Sequence, residues 1–252
     1  MNASGSRKLV LERIRAAARD HGPAADSTNE VSDELTRKYV RRGSMKAGAK
    51  LERMAERLRE YDAEVAECEC AGAAGAIEAQ LAASGRQTFV APPGLPAEWR
   101  ARGFEWKIDH DLPVDEIERA DGVVTECFCG VAESGTIVLH HSATEGRRAI
   151  TLLPDWHLCI LRASQIVETL PEYFDRCQTA GNKGTREQGN ENAGIEGRET
   201  TEAEVGPSGV AVPELPPLVT WISGPSATSD IEMTRIKGVH GPRFLHVLIV
   251  KG

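Results

Sequence analysis

The sequence predicts an α/β fold, in which a mostly parallel sheet flanked by helices follows a helical N-terminal extension. The extension, residues 1–60, carries apolar side chains at the 3.6-residue spacing of helices. From residue 61 to residue 252, short β-branched apolar runs alternate with helical segments, which is typical of a parallel sheet covered on both faces. A chain of 252 residues can bury one substantial core, so we predict one α/β domain.

The predicted elements follow from the spacing of the apolar residues. In the extension, helices are predicted over residues 6–20, 33–42 and 48–60; Val10, Ile14 and Ala17 form an apolar stripe on the first. In the domain, strands are predicted over residues 63–68, 88–91, 104–108, 122–127, 136–140, 150–153, 157–161, 218–222 and 245–250. Further helices are predicted over residues 73–83, 113–119, 164–177 and 228–235.

The segment over residues 178–217 has a different composition from the rest of the domain. Gly, Asn, Glu and Thr dominate it, and large apolar residues are nearly absent. A stretch of this length and polarity cannot bury enough apolar surface to order itself, so we expect a disordered or extruded surface loop.

Charge and composition exclude several classes of function. A formal net charge of -8 argues against a nucleic-acid partner, which would require clustered Lys and Arg. No apolar run approaches the roughly 20 residues that cross a bilayer. The first ten residues contain no signal-peptide core, so a cytoplasmic location is expected.

The six cysteines do not predict a metal centre in this chain. They form two Cys-x-Cys pairs and two single residues, without zinc-finger spacing. On a strand, Cys127 and Cys129 would point to the same face, either as small core residues or as two ligands of an incomplete metal site. Because an iron–sulfur cluster normally requires four thiolates, we expect the core role and no metal.

The first polar cluster lies in a predicted turn between two apolar strands. Glu133 is followed by Ser134, Gly135 and Thr136, so backbone N–H groups there can face a ligand. The carboxylate of Glu133 has the chemistry of a general acid, a base or a nucleophile. The alternative is an ordinary β-turn, with glycine at its special position and a solvated Glu.

The second polar cluster runs from a predicted strand, through a Gly-Pro turn, into a predicted helix. A helix N-terminus presents unpaired N–H groups and a positive dipole end, and hydroxyl groups beside it add donors for an anion. The alternative is that one hydroxyl caps the helix and an acidic side chain complements its dipole. The hydroxyl donors are those of Ser226, Thr228 and Ser229, and the acidic side chain is that of Asp230.

The third polar cluster precedes the last predicted strand. Gly238 and Gly241 flank it and allow close approach of the backbone to a ligand. His240 lies between them and can be catalytic, ligand-binding or exposed. His157, at the start of a strand, can equally be a hydrogen-bonded core histidine and ranks below His240.

The motifs over residues 132–136, 152–154, 222–232 and 238–242 resemble, in this order, those of the LUD (lactate utilisation) domain family. The resemblance covers residues 122 to 252 and implies a fold like the sugar-phosphate isomerase and CoA-transferase superfamily. It also implies a role beside iron–sulfur subunits in the oxidation of L-lactate to pyruvate. Two departures are Ser134, where the family usually has Thr, and the length of the 178–217 segment.

The resemblance also suggests residue roles. Glu133 becomes the candidate acid, base or nucleophile, with His240 as the second candidate catalytic residue. The candidate ligand-binding residues are Ser134, Gly135, Thr136, Gly224, Pro225, Ser226, Thr228, Asp230, Glu232, Gly238 and Gly241. Iron–sulfur clusters are expected in partner subunits, since no cofactor site is evident in this chain.

Three hypotheses for function remain. The first is a subunit of lactate oxidation that binds a small anionic metabolite or a phosphate-bearing ligand. The second is a non-catalytic interaction or assembly subunit. The third is a CoA- or nucleotide-dependent enzyme of the CoA-transferase-like superfamily; the cluster at residues 222–232 matches neither a Walker phosphate loop nor a Rossmann fingerprint.

Overall fold

The computed structural model of the chain describes residues 12–13, 40–187, 215–229, 235–237 and 241–252. The chain separates into two compact units, residues 1–39 and 40–252, and the second contains the elements described below. Of the predicted helix over 6–20, only residues 12–13 are described, and they are helical. Residues 40–42, at the end of the predicted helix over 33–42, are not helical, and the rest of that prediction lies outside the described residues.

The second unit alternates strands and helices. The helices are α1 (Ala47–Glu60), α2 (Ala73–Ser84), α3 (Val114–Glu118), α4 (Arg148–Leu152) and α5 (Leu170–Glu187). The strands are β1 (Glu64–Glu69), β2 (Thr88–Ala91), β3 (Glu105–Ile108), β4 (Gly122–Glu126), β5 (Cys129–Val131), β6 (Thr136–Leu139), β7 (Trp156–Arg162), β8 (Ile166–Val167), β9 (Thr220–Ile222), β10 (Ala227–Ser229), β11 (Arg235–Lys237) and β12 (Phe244–Lys251).

Six strands form a parallel main sheet in the order β1-β12-β7-β4-β2-β3. Every neighbouring pair in it is parallel. The predicted fold class, a mostly parallel sheet flanked by helices, is therefore confirmed. The last strand, β12, lies inside the sheet between β1 and β7 rather than at its edge. Its continuous apolar run from Val247 to Val250 is buried, as expected for a strand covered on both faces.

A smaller second sheet has the order β8-β5-β6-β9. Strand β5 pairs antiparallel with β6 and parallel with β8, and β6 pairs antiparallel with β9. Its residues Ile137 and Leu139 are fully buried in one cluster with Leu58 of α1 and with Cys159 and Val247 of the main sheet. The second sheet and α1 therefore cover one face of the main sheet.

Helix α2 covers the opposite face of the main sheet. Its Ile77 and Leu81 are fully buried in a cluster with Leu158, Ile160 and Leu248. Burial of an aliphatic side chain of this size stabilises the fold by about 1.5–3 kcal/mol. Alternate residues of β7 and β12 thus face α2 on one side and the second sheet with α1 on the other. A shift of one residue would exchange the two sets, so this packing fixes the register of both strands.

Two predicted elements in the middle of the domain were wrong. Of residues 150–153, predicted as a strand, residues 150–152 belong to α4 and Leu153 caps it, because a short apolar run does not distinguish a buried strand from a buried helical turn. Residues 164–177, predicted as one helix, form a 3-10 turn (Ala163–Gln165), strand β8 and then α5. Helix α5 continues to Glu187, so the first ten residues of the expected 178–217 loop are helical.

The predicted helix over residues 228–235 was also wrong at the residues that the structure describes there, 228–229 and 235. Strands β10 and β11 pair antiparallel there, with Ala227 opposite Lys237 and Ser229 opposite Arg235. Ser and Thr residues that resemble a helix N-cap also suit strands, and pairing with a second strand decides between the two states. The described residues of this segment therefore do not form the helix N-terminus that was expected to bind an anion.

Candidate functional site

A cavity of about 260 Å³ lies between residues of the main sheet and residues of the second sheet. Its lining comprises Arg148, Thr151 and Leu152 of α4, His157 of β7, Leu245 of β12, and residues 220–226 and 241–242. We call this space the inter-sheet cavity. His157 and Leu245 are paired in register, each one residue inside the amino end of its strand. The cavity thus adjoins the amino ends of parallel strands, whereas ligands of open α/β sheets usually bind at the carboxyl ends.

Arg148 supplies the positive charge of the inter-sheet cavity. Among the described lining residues it is the one with a formal charge at neutral pH, and its side chain is exposed. The preceding Arg147 is held by Asp109 in a two-pronged pair at 2.8 and 2.9 Å. Arg148, by contrast, has no ion pair with any described carboxylate. A guanidinium in this situation is available to bind a carboxylate or phosphate in the same two-pronged geometry.

His157 combines complete burial with an unused hydrogen-bonding atom. Its Nε2 lies 2.8 Å from Oγ1 of Thr125, which is also fully buried. Its Nδ1 is buried and has no partner among the described residues. Burial lowers the pKa of His157 to about 4, so the ring is neutral at physiological pH. A neutral imidazole offers a ligand one hydrogen bond and no charge.

Hydroxyl groups connect the first two polar clusters of the sequence. Ser134 Oγ lies 2.8 Å from Thr136 Oγ1, which lies 2.8 Å from Ser223 Oγ. Thr136 is buried, while Ser134 and Ser223 are exposed. Ser223 lines the inter-sheet cavity, so this chain of hydroxyls extends from the turn after β5 to the cavity.

The backbone connects the second cluster to the third. The Ser226 N–H donates to the Pro242 carbonyl at 2.8 Å. Four of the predicted ligand-binding residues line the inter-sheet cavity, namely Gly224, Pro225, Ser226 and Gly241. Gly224 has φ +92, and a Cβ added to it would lie 2.6 Å from the Cβ of Tyr61, so this turn requires glycine.

The other predicted site residues lie elsewhere or outside the described residues. Glu133 and Ser134 are exposed, and neither they nor Gly135 and Thr136 line the inter-sheet cavity. The Glu133 N–H donates to the Glu168 carbonyl at 3.0 Å, which ties the turn to the end of β8. The backbone of Thr228 lies in β10. Four predicted residues lie outside the described residues: Asp230, Glu232, Gly238 and His240.

The loop over residues 140–147 covers the carboxyl ends of β2, β3 and β4. The carbonyls of Ala143 and Thr144 accept the N–H groups of Gly94 and Glu126, at 2.9 and 3.1 Å. Beyond β3, Asp109 pairs with Arg147 at the end of the loop. The edge at which ligands of such sheets usually bind is therefore occupied, at these three strands, by the chain itself.

A buried carboxylate organises this loop. Glu145 is 3% exposed and accepts the backbone N–H of His140; burial raises the pKa of its carboxyl. The adjacent His141 adopts φ +58, and its Nδ1 donates to the Gly146 carbonyl at 2.9 Å. Its Nε2 lies 2.8 Å from Oγ1 of Thr220, which lines the inter-sheet cavity. The loop therefore positions one wall of the cavity through His141.

The family assignment follows from comparison with known proteins. The model of the LUD domain matches residues 51–206 and 195–250. The chain belongs to the LUD domain family. Lactate utilization protein C of Deinococcus radiodurans is 37% identical over 201 residues, which cover 79% of each chain. The protein of the same name from Bacillus subtilis is 30% identical over 59% of this chain and 51% of its own.

A solved structure supports the LUD fold. The crystal structure of a DUF162 family protein from Deinococcus radiodurans superposes with a TM-score of 0.59 at 30% sequence identity. The superposition covers 82% of this chain and 99% of that one. The likeness therefore extends over most of this chain.

Sequence reasoning missed one important residue of the cavity in this LUD chain and ranked another low. Arg148 lies on α4, in a segment next to the one predicted as a strand, so nothing marked it as facing a cavity. His157 ranked below His240 as a site candidate or, equally, a core histidine; it is fully buried and also lines the cavity. The histidines of the 140–147 loop, His140 and His141, follow directly on a strand, which is itself a signal for a functional loop.

The cysteines of this LUD chain are all free. Cys127, Cys129 and Cys159 are buried, as expected for small core residues. Within the described ranges, no group of three or more His, Cys, Asp or Glu side chains is arranged to hold a metal ion. Nor does any described helix have the length and apolar character needed to cross a membrane.

Proposed function

We propose that this chain is a subunit of a lactate-utilisation system and binds a small anionic metabolite or phosphate-bearing ligand in the inter-sheet cavity. The observation that carries the proposal is Arg148, a guanidinium at the cavity without a described acidic partner. Two relatives bear the name lactate utilization protein C, which supports the physiological context. We propose oxidation of L-lactate to pyruvate as the process that the chain serves.

The dimensions and lining of the cavity favour a small ligand. Sites for drug-sized molecules occupy about 300–1,000 Å³, and this cavity, at about 260 Å³, is smaller. A nucleotide or CoA would extend well beyond it. No Asp or Glu is found among the described lining residues, so none of these residues repels a carboxylate ligand. Hydroxyl groups of Thr220 and Ser223 add hydrogen-bonding capacity for ligand oxygens.

A ligand screen with a charge-matched control tests the proposal. The purified chain is heated with L-lactate, pyruvate, phosphate, a nucleotide or CoA, and the screen is repeated with Arg148→Gln and Arg102→Gln. Arg102 is exposed and outside the cavity lining, so its replacement removes the same charge at another site. A ligand at about 100 times its Kd stabilises by about 2.7 kcal/mol, or roughly 5–10 °C in Tm.

The expected result is a shift with a small carboxylate that Arg102→Gln keeps and Arg148→Gln loses. Losing a charge-assisted hydrogen bond weakens binding by about 1.5–3 kcal/mol, or roughly 10- to 150-fold in Kd. An absence of any shift contradicts the ligand-site proposal and favours the interaction-subunit hypothesis. A shift with CoA alone would favour the CoA-dependent enzyme.

We propose iron–sulfur subunits of the same system as partners. The support is the family resemblance, which implies iron–sulfur subunits beside this chain. The test is co-purification of the tagged chain from its own cells grown on lactate, with iron and labile sulfide measured in the eluate. Recovery without iron-containing partners would contradict the proposal.

A further inference from the structure

His157 has the properties of a residue that selects among carboxylates. It is completely buried, it lines the inter-sheet cavity, and its Nδ1 has no partner among the described residues. A buried hydrogen-bonding atom without a partner costs free energy, so an unmatched atom beside a cavity indicates that something else satisfies it. The exposed area of Nδ1 is less than 1 Å², so bulk water does not serve this purpose.

The surroundings of His157 restrict the direction from which a partner can come. Its neighbours along β7, Trp156 and Leu158, pack in the cluster that contains helix α2, so the His157 side chain faces the opposite layer, on the side of the cavity. Its Nε2 is engaged by Thr125. A partner for Nδ1 therefore has to come from the cavity. Contact requires a small rearrangement of lining side chains, such as commonly accompanies binding.

The chemistry of a neutral imidazole specifies the matching ligand group. One ring nitrogen donates and the other accepts, and the Thr125 hydroxyl can serve either role toward Nε2. Nδ1 is thus a donor in one tautomer and an acceptor in the other. A hydroxyl group can accept from or donate to Nδ1, so it satisfies both tautomers. A methylene group satisfies neither.

We infer that His157 is a specificity-determining residue of the inter-sheet cavity, which takes a 2-hydroxycarboxylate, with the carboxylate at Arg148 and the 2-hydroxyl at His157 Nδ1. This inference rests on the proposed small-anion site and specifies its ligand class. Arg148 supplies the charge that any small carboxylate would find. His157 distinguishes carboxylates that carry a hydroxyl on the adjacent carbon from those that do not.

Two ligands and two variants test the inference by calorimetric titration of the full chain. L-Lactate and propionate share the carboxylate and the three-carbon skeleton and differ in the 2-hydroxyl group. The amide of Gln can take the place of His Nε2, whereas the amide of Asn can take the place of Nδ1. His157→Gln therefore keeps the hydrogen bond to Thr125 and loses the group that replaces Nδ1. His157→Asn keeps a group at the position of Nδ1 and loses the hydrogen bond to Thr125.

We expect the wild type to bind L-lactate about tenfold more tightly than propionate, a difference of 1.4 kcal/mol. His157→Gln should abolish the preference by weakening the binding of L-lactate about tenfold. His157→Asn should keep the preference and lower the Tm. Equal binding of both ligands by the wild type overturns the inference and leaves the Arg148 site standing. Binding of neither overturns both. A preference that survives in His157→Gln assigns the selection to another residue.

Histidine ¹⁵N NMR of the wild-type chain provides a readout that does not depend on the folding of a variant. L-Lactate should shift the Nδ1 resonance of His157, and propionate should leave it in place. Equal responses to saturating amounts of both ligands would overturn the inference.

Discussion

The hydroxyl oxygens of Thr136 and Ser223 lie 2.8 Å apart, although 87 positions separate the two residues in the sequence. The contact joins the start of β6 to the residue that follows β9 and brings a wall of the inter-sheet cavity into place. We expect Thr136→Val, which keeps the side-chain shape, to lower the free energy of unfolding by about 1 kcal/mol. Urea denaturation measures this, with Ser134→Ala as the exposed control that changes less. Equal effects of the two would contradict a structural role for the buried hydroxyl.

Gly135 lies where any larger residue would collide with helix α1. Its φ is +64, and an added Cβ would lie 2.6 Å from the Cβ of Arg57 and 3.0 Å from that residue's carbonyl carbon. Gly135→Ala should therefore destabilise the chain by about 2 kcal/mol, through backbone strain and displacement of α1.

Gly75 provides the matched control for that substitution. It lies within α2, and a Cβ there would meet nothing within 4 Å. Gly75→Ala should stabilise by about 0.5–1 kcal/mol, because alanine is the better helix former. Thermal and urea unfolding of both variants tests the contrast, and changes of the same sign in the two would refute it.

The ion pair between Asp109 and Arg147 holds the 140–147 loop to the end of β3. Asp109 is 7% exposed, and it also accepts the N–H of Leu112 at 3.0 Å. Asp109→Asn should lower the unfolding free energy by about 2 kcal/mol. Asp115 forms an exposed ion pair with Arg119 one turn further along the chain. Asp115→Asn should therefore lower the unfolding free energy by only about 0.3–0.5 kcal/mol. Similar losses in the two variants would show that burial of Asp109 contributes nothing.

Buried histidines make the fold sensitive to acid. Burial lowers the pKa of His157 to about 4, against about 6.5 in an unfolded chain. Between these values the unfolded state binds the proton and the folded state does not, so stability falls as the pH falls. The loss from His157 amounts to about 3 kcal/mol by pH 4.

The contribution of His157 can be measured as a change in the slope of the unfolding free energy against pH. Urea unfolding of His157→Gln between pH 6.5 and pH 4 should show a shallower decline than the wild type. Burial also lowers the pKa of His140 to about 4. Part of the decline in stability should therefore remain in both the wild type and His157→Gln. An unchanged slope in His157→Gln would show that this ring does not resist protonation.

Glu133 is exposed and outside the lining of the inter-sheet cavity. We therefore expect Glu133→Gln to leave the Kd of the cavity ligand within about twofold, since a distant exposed charge is screened by solvent. Titration beside Arg148→Gln measures this, and a large loss of affinity would place Glu133 at the ligand. Growth on lactate of a strain that depends on the variant tests the separate prediction that Glu133 is an acid, base or nucleophile.

The parts of the fold that local pattern determines were predictable. Strand β2 was predicted at its observed bounds, because a β-branched and aromatic run ends there at a Pro-Pro pair. The pairing of β10 with β11 was not, because contacts between residues six to ten positions apart overrode local helix signals. The position of β12 inside the sheet also depends on distant partners, so the pattern of residues 244–251 alone does not specify it.

The candidate site was predictable only in part, for related reasons. Glycine and proline mark turns, and so Gly224, Pro225 and Gly241 were identified, and they line the cavity. Arg148 and His157 have no comparable local signal in the sequence. Their role depends on which layer each side chain faces after the two sheets have packed together. The likeness to the CoA-transferase superfamily and the roles of Asp230 and His240 stay predictions.

The interior position of β12 has a consequence for the order of events during synthesis. Glu64 of β1 pairs with His246, so β1 gains its neighbour in the main sheet only after the ribosome has made residues 246–251. Until then, β1 and one side of β7 expose unpaired backbone groups that other chains can join. Contacts so distant in sequence also slow folding. From the completion of β7 until β12 is made, the nascent sheet is therefore split in two, and we expect a chaperone that covers its unpaired strands in that interval to raise the yield of folded chain.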